Sequence, residues 1–275
     1  MHGALYKFNV GLGGAQNSTQ SFIMAAKRKA KELTVTATQQ LSKNMLRLTM
    51  QGPDLASFPE NAEGAYFKLA FPGGDANKPI MRTYTVSKHR PAEQEIDVDF
   101  MLHGGSNGQI EGVAAAWAKQ AVVGDKASLF GPGLATFINT DADWFLLAAD
   151  MTALPALTAN LALLPQDARG HIVVEILSEE DQQVLPVPSN MELHWVINPQ
   201  AGSDASPLNA AIEELPWLDG QVSIWAACEF KTMKKIRHYY RDVKAVAKAN
   251  IYISSYWKQG LKEEEHKKVK SEDAA

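Results

Sequence analysis

The sequence predicts a β + α/β protein, with an N-terminal six-stranded antiparallel barrel followed by a C-terminal parallel α/β domain. Three observations carry this expectation. Short strand-like segments separated by Gly- and Pro-rich turns fill residues 33–130. A single helix-like run, GVAAAWAKQ from Gly112 to Gln120, interrupts the last of them. From Trp144 onward strand and helix patterns alternate, which suits a parallel sheet covered on both faces.

The elements follow in order. Leu33–Thr38 and Met45–Met50 are β-branched and partly alternating, and Gly52-Pro53-Asp54 stops the second. Ala65–Phe71 forms a third strand, closed by Pro72-Gly73-Gly74, and Met81–Ser87 a fourth. In Glu95–Leu102, Ile96, Val98, Phe100 and Leu102 share one face. Val123-Gly124-Asp125 turns into the sixth strand, Ala127–Phe130. The second half offers strands at Trp144–Ala149, Ile172–Leu177, Leu193–Ile197, Val222–Ala227 and Ile251–Ser254. Helices are expected at about Thr152–Leu164, Pro207–Leu215 and Phe230–Lys248. The polar stretch Asn139–Asp143 sets the joint, giving a barrel over 24–139, an α/β domain over 140–260 and a charged tail over 261–275, read as a solvated face. Residues 1–23 lack an apolar secretory core and are set aside as a leader, with Met24 as the natural start.

Composition narrows the function classes. The 275 residues carry a net charge of -4, so whole-surface attraction to nucleic acid is not expected. No run approaches the length of a membrane span. The single cysteine, Cys228, cannot form an internal disulfide or a cysteine cluster, which fits a reducing compartment.

Five constellations bear chemistry. Met81-Arg82-Thr83-Tyr84-Thr85-Val86 comes first. A flavin on a barrel needs a cation near its pyrophosphate, an aromatic face beside its ring or ribityl chain, and polar groups at the ring edge. Arg82, Tyr84 and Thr85 supply these from one strand, although an ordinary strand with an exposed arginine is the simpler account of the motif alone. Second come Asp99 to Gly105, including His103, and the helix start Gly112-Val113-Ala114-Ala115. Small residues there let backbone N–H groups approach a pyrophosphate, which the helix dipole favours; the run also suits plain helix packing. Third is the strand–turn–helix junction Ala148–Ala156 with Asp150 and Thr152, which lacks the G-x-G-x-x-G fingerprint. Fourth is Trp225–Phe230, with Cys228 read as packing and Glu229 at a strand end. Lys231, Lys234, Lys235 and Arg237 follow, cations at a helix start that need an anionic partner or plain solvation. Fifth is Ser255–Gly260, whose Tyr256-Trp257 pair either covers a ligand or plugs the sheet edge.

In this order the motifs resemble the siderophore-interacting proteins, a branch of the ferredoxin-reductase-like superfamily. The resemblance runs from about Ala65 to Glu272. It rests on R-T-Y-T-V at Arg82–Val86, D-V-D-F-M-L-H-G at Asp97–Gly104, W-A at Trp117–Ala118, G-D at Gly124–Asp125 and G-P at Gly131–Pro132. T-A-L-P-A at Thr152–Ala156, W-A-A-x-E at Trp225–Glu229 and Y-W-x-x-G at Tyr256–Gly260 complete it. It implies FAD in the barrel, reduction of ferric siderophores with release of Fe(II), and a cytoplasmic setting; a monomer without membrane or nucleic-acid partners is expected alongside. By matching positions it implies that Arg82, Thr83, Tyr84, Thr85, Asp99, His103, Gly112, Ala114, Ala115 and Thr152 hold the cofactor. Lys68 and Lys258 would dock the anionic siderophore. Three positions depart from the pattern: Ala115 replaces a serine, Cys228 a glycine, and Gly133-Leu134 a basic residue that would supply a third docking cation. The donor is NADPH, NADH or reduced ferredoxin. Ser178-Glu179-Glu180 suits a ribose diol, whereas the lysines at 231–235 suit NADPH or an acidic ferredoxin. A general flavin reductase on the same fold and a non-catalytic siderophore-binding module are the alternatives.

Overall fold

The computed structural model describes residues 30–73, 79–102, 112–202 and 207–274. The leader 1–23 and His103 lie outside the described residues. The first half contains β1 (Lys31–Ser42), β2 (Met45–Gln51), β3 (Tyr66–Phe71), β4 (Ile80–Thr85), β5 (Lys88–Arg90), β6 (Glu95–Met101) and β7 (Lys126–Gly133). They pair antiparallel in the order β4-β3-β7-β1-β2-β6-β5. The sheet is barrel-like and not closed, with β4 and β5 at its edges. Seven strands stand where six were expected, because β5 pairs over only three residues and is too short to show a period.

Alternation builds this half's core. Ile96, Val98 and Phe100 of β6 point inward with Leu48 and Met50 of β2 and Leu33 and Val35 of β1, all fully buried. The helix α1 (Val113–Gln120) sets Trp117 against Phe71 and Phe100, with ring centroids 5.5 and 6.0 Å apart.

The second half contains β8 (Trp144–Asp150), α2 (Leu154–Leu161), β9 (Arg169–Ile176), β10 (Asn190–Ile197), α3 (Pro207–Glu214), β11 (Val222–Glu229), α4 (Phe230–His238), β12 (Ile251–Trp257) and α5 (Glu263–Ala274). Its five strands are parallel in the order β10-β9-β8-β11-β12. Every residue of β8 and of β11 is buried, as the unbroken apolar runs require of strands covered on both faces. Leu147, Ile172 and Trp225 face one core, and Trp144, Val173 and Ile224 the other.

Two expectations change here. The helix predicted over Phe230–Lys248 ends at His238 and passes through a π turn, Tyr239–Val243. Ala245 then takes φ +52°, a conformation no helix continues through. Packing explains the break: Tyr240 is buried against Trp217, and the Lys244 ammonium sits 4.8 Å above the Trp217 ring. The charged tail, predicted to be solvated, docks instead. The Asp273 carboxylate of α5 pairs with Arg237 at 2.7 Å, and His266 shares a hydrogen bond of 2.9 Å with the Ser255 hydroxyl.

The two halves are joined by a polar clamp. The fully buried Asp181 accepts from the Ser42 hydroxyl (2.9 Å) and from the Asn44 backbone N–H and side-chain amide (both 2.7 Å). Beside it Lys43 pairs with Glu180. Leu41, Met45 and Met101 of the first half pack into the core of the second. Among the described residues no helix is long and apolar enough to cross a membrane.

Candidate functional site

Arg82, Thr83, Tyr84 and Thr85 lie along β4, an edge strand, so one row of backbone groups faces away from the sheet. The Arg82 guanidinium donates to the Met81 carbonyl at 2.7 Å and meets no carboxylate among the described residues. Tyr84 packs its ring 4.5 Å from Phe100, and burial pushes its phenol well above the usual range. Phe100 also touches Trp117, so one aromatic row ties β4 to α1. Thr85 is buried.

Gly112 caps α1 at φ +90°, ψ +135°, a conformation that favours glycine, and no side chain caps the helix there. Ala114 and Ala115 follow, buried and small. An uncapped helix start, an unneutralised guanidinium and an aromatic wall make a donor set that fits an anionic dinucleotide such as FAD. Asp99 is differently engaged: its carboxylate takes a bidentate Arg47 at 2.7 and 2.8 Å and the Ser87 hydroxyl at 2.8 Å.

At the carboxyl ends of the parallel strands lies a cleft lined by Met101, Asp150, Glu175, Leu177, Asn198 and Trp257. Asp150 holds it together. One oxygen accepts from the Thr152 backbone N–H at 3.0 Å and from its hydroxyl, and the other accepts the Trp257 indole N–H at 2.7 Å. Burial raises the Asp150 carboxyl despite these donors. Trp257 therefore lines the cleft rather than plugging the sheet edge. Glu229 serves the local backbone. Its carboxylate caps α4 through the Lys231 and Thr232 N–H groups and accepts from the Gln259 N–H at 3.2 Å. Cys228 is buried, and burial raises its thiol well above the ordinary value.

Several predicted site residues have partners that a reading of the sequence missed. Lys68 pairs with Glu263 at the start of α5 and reaches the Thr83 hydroxyl at 3.0 Å. The Thr83 N–H and hydroxyl donate to the same Glu263 carboxylate, at 2.7 and 2.8 Å. Lys258 lies 4.5 Å above the Phe230 ring. Glu180 pairs with Lys43 across the joint. Glu175 and Asp150 are the acids in the cleft wall. Two of the α4 cations find their reason: Lys234 and Arg237 face Asp273.

Residues 142–260 match the model of the siderophore-interacting protein family, and residues 34–78 and 73–136 match the siderophore-interacting FAD-binding domain. The chain belongs to the siderophore-interacting protein family. FAD is the cofactor for which its N-terminal domain type is named. The ferric vibriobactin reductase ViuB of Vibrio cholerae is 34% identical over 245 residues, 82% of this chain and 88% of that protein. The NADPH-dependent ferric-chelate reductase of Escherichia coli is 26% identical over 82% of this chain and 92% of its own. Among solved structures, the siderophore-interacting protein SipS from Aeromonas hydrophila superposes with a TM-score of 0.77 at 29% identity, covering 90% of this chain and 98% of that one. The ordered motifs from Arg82 to Gly260 thus led to the correct family.

Proposed function

We propose that this chain is an FAD-dependent reductase of ferric siderophores that releases Fe(II) and draws electrons from NADPH or NADH. Bound FAD would supply the conversion from a two-electron donor to a one-electron acceptor. The chain's own residues bind, orient and shield. Arg82 offers its guanidinium to the pyrophosphate, and the Gly112 helix start adds backbone donors, Ala114 and Ala115 leaving room. Tyr84, backed by Phe100, provides a dry aromatic face, and Thr85 a polar group at its edge. The cleft beside Asp150, Thr152 and Trp257 would take the nicotinamide donor, at the carboxyl ends of the strands as open parallel sheets do. Lys68 and Lys258 would meet the anionic chelate, with the Lys68 ammonium already presented to a carboxylate. Reduced ferredoxin is a second donor reading, and we place the protein in the cytoplasm as a monomer.

The observation that carries this reading is the unneutralised Arg82 on a strand whose aromatic neighbour is tied to an uncapped glycine-led helix. The test is an absorption spectrum of the purified protein, anaerobic, with donor and then a ferric siderophore added. Flavin bands that bleach with NADPH or NADH and return with the chelate support the proposal. A protein that holds no FAD after reconstitution with excess cofactor overturns it. A flavin reoxidised by free flavin but not by any ferric siderophore favours a general reductase.

A further inference from the structure

Strands β9 and β10 pair in parallel with His171 opposite Glu192 and Val173 opposite His194. Parallel partners share a face, and Glu192 and His194, two apart, point the same way. Three metal-ligating side chains therefore converge near the amino ends of the two strands. His171 Nδ1 and His194 Nε2 each lie 3.5 Å from the same Glu192 oxygen, Oε2. The three donor atoms all lie within 4.8 Å of one another.

These separations are too long for good hydrogen bonds. Both nitrogens of His171 and Nε2 of His194 are buried without a hydrogen-bond partner. The Pro216 carbonyl acts on the His171 ring without reaching hydrogen-bond geometry. Buried polar atoms left this way are uncommon and costly. A tetrahedral ion with ligands at 2.0–2.2 Å separates its donor atoms by about 3.3–3.6 Å, which two of the three edges here already match. The third, within 4.8 Å, must shorten by at most about 1.5 Å, which the His194 side chain, 38% exposed, is free to do by rotating. Glu192, 69% exposed, leaves the remaining coordination position open to water, while His171, only 4% exposed, anchors the set.

We propose that His171, Glu192 and His194 bind one divalent transition-metal ion at the edge of the parallel sheet. Two imidazoles and a carboxylate suit Zn(II) and the neighbouring first-row ions and disfavour Ca(II) and Mg(II), which prefer all-oxygen sets. The site is separate from the reductase chemistry. The donor cleft lies at the opposite, carboxyl ends of these strands, around Glu175 and Leu177, so this ion is not the iron being reduced. Its effect is to pin the edge strand β10 to β9 through side chains, in addition to the backbone ladder.

The test uses the full chain loaded with FAD and stripped of metal by chelator dialysis, titrated with Zn(II) alone by calorimetry and followed by thermal unfolding. One ion per chain and a raised unfolding temperature are expected. His194→Ala and Glu192→Gln, both solvent-accessible changes, should each weaken Zn(II) binding at least about tenfold. Both should remove the thermal gain while leaving flavin content unchanged. Two results overturn the proposal: wild-type protein that takes up no Zn(II), or both variants binding Zn(II) as tightly as wild type.

Discussion

Arg82 is the residue whose loss should separate cofactor binding from folding. It sits on an edge strand, and its charge has no carboxylate partner among the described residues, so Arg82→Ala disturbs little of the core. A hydrogen bond to a charged group contributes about 1.5–3 kcal/mol. Flavin affinity should therefore fall about ten- to a hundredfold with the unfolding midpoint of the apoprotein unchanged, read by flavin fluorescence titration. Glu263 gives the converse case. Its carboxylate occupies the Lys68 ammonium and the Thr83 donors. Glu263→Gln keeps the shape and removes the competing charge. An anionic ferric siderophore should bind a few-fold more tightly, in line with the roughly 0.2–1 kcal/mol of a solvent-accessible pair. An unchanged affinity and salt dependence would remove Lys68 from the docking site. That Arg82 and Tyr84 share a strand face was legible in the sequence, because side chains alternate along a strand. The partner of Lys68 was not, because Glu263 lies far along the chain in a charged run with no apolar stripe to announce that it packs.

At the scale of elements, α5 is held by groups that titrate. His266 is packed beside Phe230 and hydrogen-bonded to Ser255, with Lys258 and Lys270 nearby. Burial, and then the two lysines, lower its pKa below the ordinary 6.5. A folded-state pKa below the free value means that docking is at full strength above about pH 6.5 and is lost as pH falls through the depressed value. Asp273 acts in the same direction: the Arg237 hydrogen bond holds its carboxyl below the usual value, so its contribution also fades on acidification. The protection of amides in 263–274, corrected for the intrinsic pH dependence of exchange, should thus fall as pH drops below about 6.5 and before the sheets open, and His266→Phe should blunt the first part of that fall. The strands were readable from alternation and turn residues, within two or three residues at most ends. β5 was too short for any period, and the early end of α4 came from aromatic packing around Trp217 rather than from local propensity.

For the molecule as a whole, the two halves are fastened at separate places, by Asp181 on the β1–β2 turn and by Glu263 on β3 and β4. Removing the buried Asp181 side chain strands the Asn44 donors and the Ser42 hydroxyl, a loss of about 3 kcal/mol. Asp181→Ala should therefore split a single urea transition into two, seen by comparing flavin fluorescence with far-UV circular dichroism; one coincident transition would show that the apolar contacts around Met45 suffice. The family and both sheet types were visible in the sequence, while this fastening was not, because it joins positions more than a hundred residues apart.

The strap formed by α5 also makes chain length a variable in what the enzyme admits. A version ending at Lys262 would keep every strand of both sheets yet lose the carboxylate lying across Lys68. On the proposed docking at Lys68, trimming the end should free that ammonium for anionic iron carriers and tighten their binding rather than silence turnover.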